Sequence, residues 1–494
     1  MVYLLGMSKT EYDVVVVGSG PNGMAAAIAI QQEGLSVLLL EAKPTIGGGL
    51  RSAALTLPGF THDVCSAVHP LAVGSPFFNS LPLSEHGLEF IYPPLSAAHP
   101  FDDGTAALLS KSPVETADTL GADANKYLSL MAPMLKDWPA IAPEALGPIG
   151  FPSHPISFGR FGLKAIQSAS AVAKKFSTKQ ARGLWAGVAG HALQPLTNVA
   201  SAAIGFVLLA QAHLKGWPIA KGGSQSVAEA LSGYFVSIGG SIETNSYIRS
   251  LDQLPKHRAV LFDVTPRQLL EIVGHKFSSF YKWQLSNYRY GMGVFKIDWA
   301  LREPIPFKAG ACRRAGTVHL GNTFEEIAKG EQLTWQGKHV DRPFVLLAQQ
   351  SNFDSSRSPA GRYTAWGYCH VPNGSTKDMT GPIEDQVERF APGSKETVLA
   401  RHTMNTQQMQ TYNPNYIGGD INGGVIDIRQ LFTRPALRSS PYRTSAKGIY
   451  ICSSSTPPGG GVHGMCGYYA AKRALDDIFK IKIRPLVQSA IENF

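Results

Sequence analysis

An α/β fold organised on a parallel sheet is what this chain of 494 residues predicts, and three stretches predict it. Val14 to Val17 is a β-branched run of strand length. Gly18-Ser19-Gly20-Pro21-Asn22-Gly23 follows directly and opens an alanine-rich stretch, Met24 to Glu33, long enough for a helix. Gly34 stands where that helix would be capped, and the apolar run from Ser36 to Leu40 ends on Glu41. Strand, turn, helix and second strand in this order make a Rossmann-like unit.

Each glycine of the turn has a mechanical job. Gly18 permits the tight turn, Gly20 lets backbone approach a pyrophosphate, and Gly23 lets the helix pack closely on the strand. The helix N-terminus, with Ser19, Pro21 and Asn22 around it, then points free N–H groups at phosphates. Glu41 falls eighteen residues after Gly23, where a carboxylate accepts both hydroxyls of an adenosine ribose and disfavours a 2′-phosphate. Ala42 and Lys43 continue past it, and Gly47, Gly48, Gly49, Leu50 and Arg51 form a second glycine cluster. That cluster can bring backbone to the far half of a long cofactor, and Arg51 can reach a phosphate or flavin edge. This favours FAD over NAD; a flexible loop after any such strand is the other reading.

A chain of this length exceeds what one hydrophobic core supports, so two closely associated domains are expected. Hydrophobic residues at 44% and charged residues at 16%, with 50 glycines and 33 prolines, describe an ordered, turn-rich globular protein. The net charge of +9 favours anionic partners, yet no block of like charges and no nucleic-acid motif occurs. Arg160, Lys164, Lys174, Lys175, Lys179 and Arg182 lie among apolar positions, which reads either as a solvated helix face or as a basic amphipathic segment lying on a membrane. Cys65, Cys312, Cys369, Cys452 and Cys466 form no CxxC pair and sit near no histidine at metal-ligand spacing, so no metal is expected and a reduced, cytoplasmic setting is. Met1 to Lys9 lacks a basic leader and cleavage signature, with Met7 as an alternative start. Val199 to Ala210 is too short to span a bilayer and reads as a buried core helix. A homo-oligomer is compatible with all of this.

The C-terminal region carries Gly448 to Ser453, then Ser454 and Thr456-Pro457-Pro458-Gly459-Gly460-Gly461-Val462-His463-Gly464-Met465. Together with the N-terminal order of glycine turn, Glu41, Gly47-Gly48, Arg51, Pro58-Gly59-Phe60 and Asp63, the sequence resembles the phytoene desaturase-like flavoproteins, a branch of the amine oxidase superfamily. The resemblance implies a Rossmann-like FAD-binding domain of the glutathione reductase type, with a discontinuous substrate domain of mixed β-sheet and helices. It also implies that the closing segment is a strand, a glycine turn and a helix whose N-terminus faces the flavin, so that Pro458, Gly461, Val462, His463, Gly464 and Met465 join Ser66 and Ile248 as cofactor residues.

On this basis residues 1–110 form the first part of the FAD domain, 111–215 a mostly helical cap, and 216–275 the second FAD part. Residues 276–430 form the substrate domain with a second sheet, and 431–494 the C-terminal FAD part. Met292 to Leu301, Pro343 to Gln349 and Arg362 to Val371 are the strand-like runs of that sheet. Asp263, a charge at the end of the strand-like run Ala259 to Val264, departs from the family's apolar pattern and reads as an edge or bulge residue.

A second dinucleotide turn is missing: Gly291-Met292-Gly293 lacks a strand before it and a helix after it. Reoxidation is therefore expected from oxygen or a quinone. With no nucleophile motif, the flavin is the reacting group, exchanging a hydride between N5 and a substrate carbon. The resemblance implies desaturation or saturation of a C–C bond in a hydrophobic or amphipathic substrate. An amine or amino-acid oxidase and a non-catalytic FAD-binding scaffold are the alternatives. His191, His463 and Tyr412 are the candidate catalytic residues. Asn413 and Asp420 read as turn residues, His69 as a weaker cavity candidate, and Cys65 and Cys466 as lying near the flavin without attaching it. Trp217, Trp299 and Trp366 read as core.

Overall fold

Val14–Val17 is a strand of four buried valines at the centre of a five-stranded sheet. The order across that sheet is Ile449–Ile451, Ala259–Phe262, Val14–Val17, Val37–Leu40, Ser241–Glu243, and all neighbours run parallel. Strands covered on both faces need apolar side chains on both, which is why the central runs are continuous rather than alternating. The computed structural model describes residues 10–148, 150–483 and 486, so Met1 to Lys9 and most of the last eleven positions of the 431–494 segment lie outside the described residues.

The first helix, Pro21–Gln31, starts with proline in its first turn and ends before the expected Glu33; Gly34 follows at φ +80°. The C-terminal helix Met465–Ala474 lies directly against it. Gly467 is what permits this, since a Cβ there would stand 1.8 Å from the Asn22 carbonyl oxygen. The two ends of the sequence thus build one layer.

A seven-stranded mixed sheet forms the second domain, in the order Val398–Met404, Gly293–Leu301, Tyr363–Val371, Val345–Ala348, Ala315–Leu320, Leu95–Pro100, Ala106–Leu109. Only Ala315–Leu320 and Leu95–Pro100 pair in parallel. Two expectations are corrected by this sheet. Residues 95–109 leave the FAD segment 1–110 and join the substrate sheet, and the strands Ala315–Leu320 and Val398–Met404 are additional to the three expected. Leu95–Pro100 reads Leu-Ser-Ala-Ala-His-Pro, a weak strand sequence locally, and its place is set by pairing with a strand distant in the chain.

The cap contains the helices Ala124–Ala145, Pro155–Ala165, Lys179–Ala189 and Ala202–Leu214. The last starts later than the Val199 to Ala210 run suggests, and Val199 itself is exposed. Among the described residues no helix is long and apolar enough to cross a membrane.

Candidate functional site

A cavity of about 350 Å³ is lined from both sheets and from the cap. Its first wall is the glycine turn: Gly18, Ser19, Gly20, Pro21 and Asn22 face it, with Glu41, Ala42 and Lys43 beside them. Gly48, Gly49 and Arg51 continue this wall, and Ser66, Ile248, Ser454, Gly461 and Val462 complete it. Gly23 stands behind the turn, where a Cβ would meet the Gly18 carbonyl oxygen at 1.8 Å.

Glu41 is buried and fully engaged. Its Oε1 accepts from Arg51 Nη2 at 2.8 Å and from the Lys43 N–H at 2.9 Å; its Oε2 accepts from the Ser19 N–H at 3.1 Å and from the Ser19 hydroxyl. Arg51 also donates from Nε to the Thr45 carbonyl at 2.9 Å and lies 5.7 Å from the Tyr412 ring centre. Two features fit this wall to a dinucleotide. The N-cap residue of the helix Pro21–Gln31 is Gly20, which has no side chain to stand between the start of the helix and a phosphate, and Asn22 Oδ1 is buried without a hydrogen-bond partner.

Asp263 requires correction. Its strand lies inside the sheet, between Ile449–Ile451 and Val14–Val17, so it is no edge residue. The carboxylate sits over the glycine turn and accepts from the Gly23 N–H at 3.0 Å. Burial pushes its pKa up to about 7, against the lowering by that hydrogen bond.

Several predicted residues stand off the wall. Leu50 and Met465 are core side chains. Gly464 begins the C-terminal helix at φ +68°, and Pro458 lies in the preceding turn. His463 is also corrected: its Nδ1 accepts from the Met465 N–H at 3.0 Å and its Nε2 donates to the Gly459 carbonyl at 3.2 Å, so the ring fastens the turn. Burial holds it down to about 4. His69, bonded to Ser224 Oγ at 2.9 Å, and Asp420, accepting from the Gly291 and Asn422 N–H groups at 2.7 Å, are likewise internal fasteners. Cys466 is buried and pushed up to about 11, whereas Cys65 reaches the cavity but is also raised by burial, so neither presents a thiolate.

His191 and Tyr412 do face the cavity. His191 Nε2 lies 3.0 Å from His319 Nε2, one ring donating to the other, and burial depresses His191 to about 3. It is a neutral imidazole that can hydrogen-bond and is a poor base. Tyr412, raised by burial, walls the cofactor side beside Arg51, and Asn413 is next to it.

The opposite wall was not read from the sequence. The cap supplies Leu193 and Leu208, Trp217 follows just past its last helix, and the second sheet supplies Val294, Leu346, Trp366 and Tyr368. Trp217 and Trp366, read as core, are therefore cavity residues; Trp299, which does not line the cavity, is buried and donates to Glu384 at 3.0 Å. Lys296 also lines this wall, almost wholly buried, with its Nζ on Asp298 Oδ2 and 5.9 Å from the Trp366 ring. Beyond Asp298, His402 Nδ1 stands at 3.5 Å and is partly exposed. The signal was there: Lys296 and Asp298 are two charges spaced by two in a strand otherwise apolar, which places both on one face. Among the described residues the only acids lining the cavity, Glu41 and Asp263, belong to the first wall.

The chain is similar to proteins of known sequence and structure. Residues 13–69, the glycine turn through the second glycine cluster, match the family described as FAD dependent oxidoreductase. A rat protein named pyridine nucleotide-disulfide oxidoreductase domain-containing protein 2 is 24% identical over 96% of this chain and 95% of its own. One of the subunits of limonene dehydrogenase from Castellaniella defragrans is 21% identical over 95% of each. Among solved structures, an oxidoreductase from Methanosarcina mazei superposes with TM-score 0.65 at 15% identity, covering 94% of this chain and 100% of that one. Putrescine oxidase with putrescine bound superposes with TM-score 0.61 at 15% identity, covering 95% and 99%, which establishes the shared fold. The cofactor is FAD, and the first wall is the surface that fits it.

Proposed function

We propose that this FAD-dependent oxidoreductase removes or adds hydrogen across a C–C bond of a neutral, apolar substrate, the chemistry of the phytoene desaturase-like flavoproteins. One observation carries the reading: the substrate wall is built of Leu, Val, Trp and Tyr side chains and its one charged group among the described residues is the cation Lys296, with no carboxylate facing the substrate space. A cationic amine would be desolvated on this wall with no carboxylate facing it. The limonene dehydrogenase relative, named for a hydrocarbon substrate, agrees in substrate class.

FAD, when bound, supplies the hydride acceptor and donor. The chain does the rest. Leu208, Leu346, Trp217 and Trp366 exclude water from the reacting carbon. The Lys296–Asp298 pair is the proton-handling group of this wall, with Lys296 facing the cavity. Asp298 fixes the position of Lys296 Nζ, and His402 links the pair toward the surface. His191 offers a hydrogen bond to a polar end of an amphipathic substrate. Reoxidation is by oxygen or a quinone.

Amine oxidation is the second reading, favoured by the aromatic side chains Tyr412, Tyr416, Trp366 and Tyr368 around the cavity, which could flank a cation. Anaerobic mixing of the flavoprotein with cyclic terpenes, polyenes, primary amines and amino acids separates the two. Bleaching of the flavin by neutral unsaturated hydrocarbons alone is the expected result. Bleaching by amines alone would replace the proposal with the second reading.

A further inference from the structure

From Ala145 to Ala228 the chain contains eight Lys or Arg residues and no Asp or Glu. This stretch holds the helix Pro155–Ala165, which packs against Ala124–Ala145 and Ala202–Leu214. Its inward face is apolar, with Phe161 buried and its ring 6.1 Å from Trp138. Its outward face carries large apolar side chains too. Ile156 is 71% and Leu163 74% exposed, seven residues apart and so on one side; Ile166, 49% exposed, follows just past the helix end. Phe151, just before the helix, is 92% exposed. Apolar side chains this exposed on a helix whose opposite face is already buried leave a surface without a partner.

Cations rim this patch. Arg160 lies within the outward stripe, Lys174 and Lys175 are exposed beyond the next short helix, and Lys136 is exposed on the neighbouring one. The acids facing the same elements are Asp137, 3.6 Å from Arg160, and Glu144, which accepts from the Ser153 N–H at 2.8 Å. Basic side chains outnumber acidic ones around exposed apolar residues, the composition of a helix that lies in a lipid interface.

We infer that the face carrying Phe151, Ile156, Leu163 and Ile166 docks on an anionic lipid bilayer, with Arg160, Lys174 and Lys175 on the headgroups. A second copy of this chain is a poorer occupant, because a two-fold contact would bring the same basic rim against itself. The docking stands on this surface alone and does not depend on what the cavity oxidises. It does place a lipid phase beside the cap whose helix Ala202–Leu214 carries Leu208 into the cavity.

The test is co-sedimentation of the full-length flavoprotein with vesicles of phosphatidylcholine alone and of phosphatidylcholine with phosphatidylglycerol. Binding to the anionic vesicles, weakened by salt, is expected. The double variant Ile156→Ser/Leu163→Ser should lose at least about tenfold in partitioning while keeping its flavin content, and Lys174→Glu/Lys175→Glu should lose binding on anionic vesicles. Three results would overturn the inference: wild-type protein left in the supernatant, a double serine variant that binds like wild type, or a concentration-dependent dimer that the double serine variant abolishes. Flavin content serves as the folding check.

Discussion

The core of the cofactor wall is two glycine turns close together in the chain, Gly18 to Gly20 and Gly48 to Gly49, whereas the substrate wall is made of large side chains carried on strands and helices far apart. The first wall is rigid because its shape is written into φ angles and close contacts, such as Gly18 at φ +103° and Gly23 against Gly18. The second is a packing problem, in which Trp366, Tyr368 and Leu346 can be exchanged without disturbing the turn. Damage to the first wall should cost the cofactor; damage to the second should cost the chemistry.

Gly23→Ala is the severest break in the first wall, because the new methyl meets the backbone at Gly18 and has nowhere to go. Purified protein should carry no flavin, read as flavin absorbance per chain; a full complement would mean the turn is not rigid. Glu41→Gln leaves Arg51 buried with a weakened partner, and a loss of about 3 to 5 kcal/mol in stability is the scale for breaking a buried pair. FAD affinity should fall roughly a hundredfold, which a fluorescence titration of apoprotein measures.

Asp263→Asn sharpens the comparison through pH. The folded carboxyl titrates at about 7 against an ordinary 3.8, so between those values the folded chain holds a proton that the unfolded chain has released. Stability therefore falls as pH rises from about 4 to about 7 and levels above, by roughly 4 kcal/mol at most. Denaturant unfolding of the asparagine variant should show a flatter profile across that range. His191→Gln, on the other wall, removes an imidazole that is neutral throughout the ordinary pH range, so flavin content should be unchanged and the pH profile of flavin reduction should keep its shape, with rates within about threefold.

The contrast also explains what the sequence made legible. Gly18 to Gly23, Glu41 and Gly48 to Arg51 are visible because a turn that grips a pyrophosphate imposes residue types at fixed short spacings. Leu346 and Trp217 are invisible as neighbours because only the pairing of distant strands and the cap bring them together. Asp263 stood out as an anomaly, yet its place over the turn depends on the parallel register of Val17 with Phe262. His463 was misread for the opposite reason: its position in the glycine turn is right, but both ring nitrogens face backbone rather than the cavity. Lys296 and Asp298 could have been noticed as paired charges on one face of an apolar strand, and their partnership is the strongest sign of function outside the cofactor turn.

Lys296→Met therefore tests the account most directly. Since Asp298 would be left buried and unpaired, the variant Lys296→Met/Asp298→Leu is measured beside it as a stability control. Flavin stoichiometry and anaerobic flavin reduction by a neutral unsaturated hydrocarbon that bleaches the wild type are read on both. The account predicts wild-type flavin content in both variants and reduction slowed by at least about a hundredfold, the scale for losing a proton-transfer group. Reduction at the wild-type rate, or loss of FAD from the stable double variant, would contradict it.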